Sequence, residues 1–194
     1  MKLLLPVALV LATALPASLS AQRPGAPPPP PLAAPSTANP ADVASVDALI
    51  KALYEAVGFT PGGRQDSTRM RSLFFPGAHL VPPPSPRRPD SVAVWTVDEY
   101  LRVINAFLDR DTSTTGMRMR GFSEREASRR TESFGNLVHV FSTYESRYTA
   151  RDSLPFTRGI NSIQLMKHNG RWWVVNIAWD QERPGLILPP EYLR

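Results

Sequence analysis

The chain of 194 residues contains no cysteine, and that one absence closes several routes. Disulfide staples, a thiolate nucleophile, cysteine-ligated zinc and lipid attachment through an N-terminal cysteine are all excluded, so the fold must be held by its core alone. Histidine is scarce as well. His79, His139 and His168 are the three present, and neither their spacing nor a neighbouring cluster of carboxylates suits a metal, so no metal site is expected. Neither a G-x-S-x-G elbow nor a phosphate-binding glycine loop occurs, and no motif calls for a cofactor. The longest apolar run, Leu3 to Leu15, falls short of the roughly 20 residues that span a bilayer, so no stable membrane anchor is expected.

What is present begins with that run. Met1-Lys2 makes a positive start and the small residues Ala17, Ser18, Ser20 and Ala21 follow the apolar stretch, the order of a secretory signal peptide over residues 1–21 with cleavage after Ser20 or Ala21. A periplasmic or secreted protein is the expectation. Residues 22–40, QRPGAPPPPPLAAPSTANP, are rich in proline and nearly free of large apolar side chains, and read as a disordered, extended tether. Residues 41–194 have the size of one domain.

The formal net charge is +5 and the pI about 10.0. Arg118, Arg120, Arg125, Arg129 and Arg130 form a basic stretch, but Glu124, Glu126 and Glu132 are interleaved with it and no aromatic stacking pattern accompanies it. A solvated strand face is therefore expected, and no nucleic-acid partner.

The central stretch runs from Phe156 to Glu182. Two apolar-rich segments flank Asn169-Gly170, a dipeptide suited to a two-residue type I′ turn because both central positions take positive φ. With His168 and Arg171 paired beside the turn, Met166 meets Trp173, Gln164 meets Val175, Ser162 meets Ile177 and Ile160 meets Trp179 on one face. Ile163, Leu165, Trp172, Val174 and Ala178 occupy the other. Apolar residues on both faces mark a hairpin covered on each side.

Upstream, Asn39-Pro40 with Asp42 opens a first helix that carries Val43, Val46, Leu49, Ile50, Leu53 and Val57 at helical spacing and ends at Gly58. A short helix from Ser67 to Phe75 stops at Pro76-Gly77, and Ala78 to Val81 form a short strand. Thr96-Val97-Asp98-Glu99 is a capping box that opens a third helix. Phe122 to Ser133 and Leu137 to Tyr148 read as strands, and the proline-containing tail from Leu186 lies extended across the domain. Helices first and antiparallel strands last describe an α+β fold.

The order of a first helix closed by glycine, then LFFPGAHLV, a third helix, FGNLVHVFSTY and RWWVVNIAW resembles the nuclear transport factor 2-like superfamily (NTF2-like, cystatin-like). Within it, the likeness is to the SnoaL-like and DUF4440-type exported bacterial domains, over about Val43 to Glu182. The resemblance implies a cone-shaped, curved antiparallel sheet with helices packed on its concave face and a pocket between them. Members include isomerases, cyclases, dehydratases, epoxide hydrolases and non-catalytic proteins, so the fold alone does not choose a function. In the steroid-isomerase branch a carboxylate near the end of the first strand abstracts a proton and an acid on the hairpin holds the oxyanion. Those positions fall here on Pro82 and Gln164, and no Asp or Glu lies between His79 and Arg88, so no catalytic dyad is recognised. The residual candidates for a base are His79, near the inferred pocket mouth, and Glu145, on a strand neighbouring Arg158.

The expected pocket takes Tyr54 and Tyr100 from the helices and Ser162, Gln164, Met166, Trp173, Ile177 and Trp179 from the hairpin, an apolar wall with a few polar groups. The first reading is an exported domain that binds a small apolar or amphipathic molecule. A lyase, isomerase or hydrolase acting in the same pocket is the alternative. A third reading, a dimerising interaction module, rests on Ile163, Leu165, Trp172 and Val174 as an apolar homodimer surface on the face away from the helices.

Overall fold

The computed structural model describes residues 37–86 and 88–193. The expected signal peptide over residues 1–21 and most of the expected tether lie outside the described residues. Asn39 caps the first helix as its sequence predicts: its Oδ1 accepts from the Ala41 amide at 3.1 Å, and Pro40 occupies the first turn. The single helix expected up to Gly58 is instead two, α1 (Pro40–Val43) and α2 (Val46–Val57). Ser45 takes an extended backbone and its Oγ accepts from the Ala48 amide at 3.1 Å. A serine that caps from inside an apolar helical pattern ends one helix and begins another.

Helix α3 (Ser67–Leu73) stops before the expected Phe75, because β1 (Phe74–Val81) already includes Pro76 and Gly77. Proline is tolerated there because β1 is the edge of the sheet and its pairing with β5 (Arg171–Gln181) is irregular between Phe74 and His79. Helix α4 (Val97–Arg110) has the expected capping box, with Glu99 Oε2 accepting from the Thr96 amide at 2.8 Å and Thr96 Oγ1 accepting from the Glu99 amide at 3.3 Å. A short α5 (Met117–Arg120) follows that the sequence did not announce. Strands β2 (Ser123–Phe134), β3 (Leu137–Arg147) and β4 (Thr157–His168) complete a five-stranded sheet of order β1-β5-β4-β3-β2. The α+β class expected from the sequence is the observed one. The sheet is antiparallel except at its edge, where β1 runs parallel to β5. No helix among the described residues is long and apolar enough to cross a membrane.

The β4–β5 hairpin turns at Asn169 (φ 49°) and Gly170 (φ 75°), the two positive values a type I′ turn requires. Met166 pairs with Trp173 as expected, but the ladder then skips a residue: Leu165 pairs with Val174 and Gln164 with Asn176. Val175 is a β-bulge. One extra residue on one strand reverses the face assignment of everything on the far side of it. The helix-facing side of the hairpin therefore carries Asn161, Ile163, Leu165, Trp172, Val174, Ile177 and Trp179. Ile163, Leu165 and Val174 are fully buried there, and Trp172 packs against the same core. The four residues read as a homodimer surface are thus inside the domain, under the helices, and lend no support to a dimer.

Strand β2 has an irregularity of the same kind between Glu126 and Ser128. The outer face of the sheet is crossed by the tail, which ends in a 3-10 turn at Pro190–Tyr192. Thr143 Oγ1 donates to the Tyr192 carbonyl at 2.6 Å, the Phe141 and Tyr192 rings meet at 5.5 Å, and the Arg130 guanidinium lies 4.5 Å from the Tyr192 ring centre. Other arginines of the basic stretch have partners within the domain too, Arg125 with Glu145 and Arg129 with Glu126 and Asp47.

Candidate functional site

A cavity of about 540 Å³ opens between the helices and the helix-facing side of the sheet. Its inner wall is apolar, with Leu53 from α2, Met70 from α3, Leu108 from α4 and Phe74 and Leu80 from β1, all buried. The exposed lining residues Phe107, Arg110, Phe156 and Gln181 mark its mouth. The end of α2 is fastened to the start of β2 by a pair of backbone hydrogen bonds between Phe59 and Phe122, whose stacked rings also line the cavity. A glycine sets the far wall: a Cβ on Gly159 would lie 2.6 Å from the Tyr144 hydroxyl oxygen, so only glycine lets that ring lie across β4.

Polar groups converge on the sheet side. Register places Glu124 beside Ser146 and Ser142 beside Asn161, so alternate positions of three adjacent strands face the helices together. Ser146 Oγ donates to Glu124 Oε2 at 2.8 Å. Ser142 Oγ donates to Glu126 Oε1 at 2.6 Å and therefore accepts from the Tyr54 hydroxyl at 2.7 Å, while Asn161 Nδ2 donates to the Tyr54 oxygen at 3.1 Å. Arg129 holds Glu126 in place at 2.7 Å.

Glu124 is half-buried and lines the cavity. Burial pushes its carboxyl up, hydrogen bonds from Ser146 and Asn161 pull it back in part, and the net position is about 7. Burial likewise raises Tyr100, to about 12, and raises Tyr54 further, so both hydroxyls stay neutral. Gln65 Nε2 donates to the Tyr100 hydroxyl at 3.1 Å, which leaves the Tyr100 O–H free to donate, and Gln65 Oε1 is buried without a partner.

Of the residues expected to form the pocket, Tyr54, Tyr100, Ile177 and Trp179 line the cavity, with Trp179 and Tyr100 meeting edge-on at 6.4 Å. Ser162, Gln164, Met166 and Trp173 do not, because the side of the hairpin that carries them faces away from the helices; the bulge at Val175 brings Ile177 and Trp179, but not these four, round to the helix side. On the outer face Ser162 shares a 3.0 Å hydrogen bond with His139. Trp173, 4% exposed, packs edge-on against Phe75 and donates its indole N–H to the His168 carbonyl at 3.2 Å. His79 is exposed on β1 between buried Ala78 and Leu80 and is not among the cavity residues.

Glu145 is on the outer face as well. Burial alone would raise its carboxyl, but hydrogen bonds from Arg147 and Arg125 hold it below its ordinary value, so it is poorly suited to act as a base. Arg158, its register partner, pairs with Glu182 at 2.9 Å instead. No cluster of three or more metal-ligating side chains occurs among the described residues. Glu124, Ser146, Asn161 and Gln65 are the cavity groups that sequence reasoning missed. The available signal was polar residues at alternate positions, Glu124 with Glu126 and Ser142 with Ser146, on strands read as solvated or as plain core.

No family model and no curated protein sequence matches the chain. Solved structures similar to it include an NTF-2-like protein of unknown function from Silicibacter pomeroyi, 16% identical, covering 72% of this chain and 94% of that one with a TM-score of 0.46. A Caulobacter vibrioides protein described as having a cystatin-like fold is 13% identical, with 72% and 89% coverage and a TM-score of 0.47. LinA is 9% identical, with 64% and 80% coverage and a TM-score of 0.44.

Proposed function

We propose that this chain binds a small apolar or amphipathic molecule in the cavity and acts on it by proton transfer through Glu124, in the lyase, isomerase or hydrolase class. One observation supports the reading above all: Glu124 is the one carboxyl among the residues lining the cavity, and burial pushes it up to about 7. A group poised there is present in both protonation states near neutrality and can take a proton from a substrate or return one. The free O–H of Tyr100 is a neutral donor of the same cavity that suits negative charge developing on a substrate. Binding without chemistry was the first expectation because no acid was recognised near the pocket; Glu124 removes that ground. We further propose export with residues 1–21 removed, supported by the order of Lys2, the apolar run and the small residues. The finer likeness to SnoaL-like and DUF4440-type domains rests on the quoted sequence pieces alone.

Native mass spectrometry of protein purified from its own cells tests the binding step by identifying what is retained. Incubating that molecule with protein in deuterated water then reads proton transfer, as deuterium uptake or conversion. The wild type is expected to support it, and Glu124→Gln to slow it by roughly 10²–10⁴-fold while still retaining the molecule. Equal rates for the two proteins would overturn the chemical part of the reading.

A further inference from the structure

Two charged residues line the cavity, Glu124 within it and Arg110 at its exposed mouth. Arg110 lies in the last turn of α4, and its guanidinium has no ion-pair or hydrogen-bond partner among the described residues. Its basic neighbours are engaged: Arg64 and Arg118 both reach Asp109, and Arg120 lies 3.3 Å from the Tyr148 ring centre. The other exposed residues of the mouth, Phe107, Phe156 and Gln181, carry no charge.

We propose that the cavity takes an amphipathic anion, its apolar body within the walls and its carboxylate or similar oxyanion at the mouth on Arg110. This deepens the small-molecule reading of the cavity and rests on it. The guanidinium presents a planar fork of donors that matches a carboxylate in two parallel hydrogen bonds, which a point charge does not. At a mouth in contact with water the ligand's charge is only partly desolvated, so the large cost of burying an ion is avoided. The walls exclude charge further in, and Glu124 in its protonated form presents no repulsion to the ligand's inner end. A competing role exists for Arg110, since a cation in the last turn complements the helix dipole. That role stabilises α4 but creates no preference between ligands.

The test is displacement of the neutral fluorophore N-phenylnaphthylamine from the full chain by decanoate and by decanol, which share an apolar chain and differ in the head group. Decanoate is expected to displace it at a concentration roughly fivefold or more below that of decanol. With displacement expressed relative to each variant's own fluorophore affinity, Arg110→Ala is expected to bring the two within about twofold and Arg110→Lys to keep only part of the preference. Equal displacement in the wild type, or an intact preference in Arg110→Ala, overturns this proposal and leaves the cavity reading standing. A lowered melting temperature in Arg110→Ala with the preference intact assigns the residue to the helix end and equally overturns it. Failure of the wild type to bind the fluorophore overturns both readings.

Discussion

Glu124 carries the central consequence at the scale of single residues. Its carboxyl is held at about 7 against an ordinary 4.5, so the folded chain keeps this proton over a range in which the unfolded chain has released it. Below about pH 4.5 both states are protonated and the residue is neutral for stability. As pH rises, the unfolded state ionises first, stability falls, and the full penalty is reached above about pH 7. The shift corresponds to at most about 3 kcal/mol. Glu124→Gln removes it, so the stability of the variant relative to wild type is expected to rise by up to about 3 kcal/mol between about pH 4 and pH 8. Denaturant melts of both proteins across that range measure it. A difference that stays flat would show that the carboxyl is not raised. Carboxylates that the fold holds low, such as Glu55 and Glu182, lose stability toward acid in both proteins and cancel in the comparison.

The hairpin decides the matter at the scale of elements. Its turn, its strand lengths and the first pairs beside Asn169-Gly170 were legible, because they depend on residues a few positions apart. The bulge at Val175 was not, since nothing in RWWVVNIAW marks which residue the ladder will skip. Its effect on the two tryptophans is measurable. Trp173, buried on the outer face against Phe75, should lose about 3–5 kcal/mol of stability on truncation to alanine, as large core side chains do. Trp179, half-buried at the cavity wall, has fewer contacts to lose, so Trp179→Ala should cost clearly less and weaken binding of the neutral fluorophore. Melts and titrations of the two variants check this, and the reverse ranking would mean that the bulge has been misplaced.

For the molecule as a whole, the helices cover one side of the sheet and the tail crosses the other, so the apolar hairpin is enclosed from both directions as its two-faced pattern required. The homodimer expectation loses its stated surface for the same reason: Ile163, Leu165 and Val174 are fully buried. Export belongs to this scale too. With residues 1–21 acting as a cleaved signal, amino-terminal sequencing of the protein recovered outside the cytoplasm is expected to begin at or near Ala21 or Gln22. Recovery of Met1 on a membrane-bound product would sink that reading.

The sequence by itself determined the features whose physics is local. Asn39 and Thr96 cap helices because their side chains reach amides two or three residues on, Asn169-Gly170 turns because both residues accept positive φ, and the succession of amphipathic helices and alternating strands places the chain in the α+β class. Tertiary structure alone decided which hairpin face meets the helices, since both faces carry apolar residues, and a single bulge moved Ile177 and Trp179 to that face without altering composition or periodicity. It alone made a functional candidate of Glu124, which in sequence is one acid in a polar strand. Only the pairing of β2 with β3 and the closure of the helices over them remove that carboxyl from bulk water, and burial is what moves it to about 7.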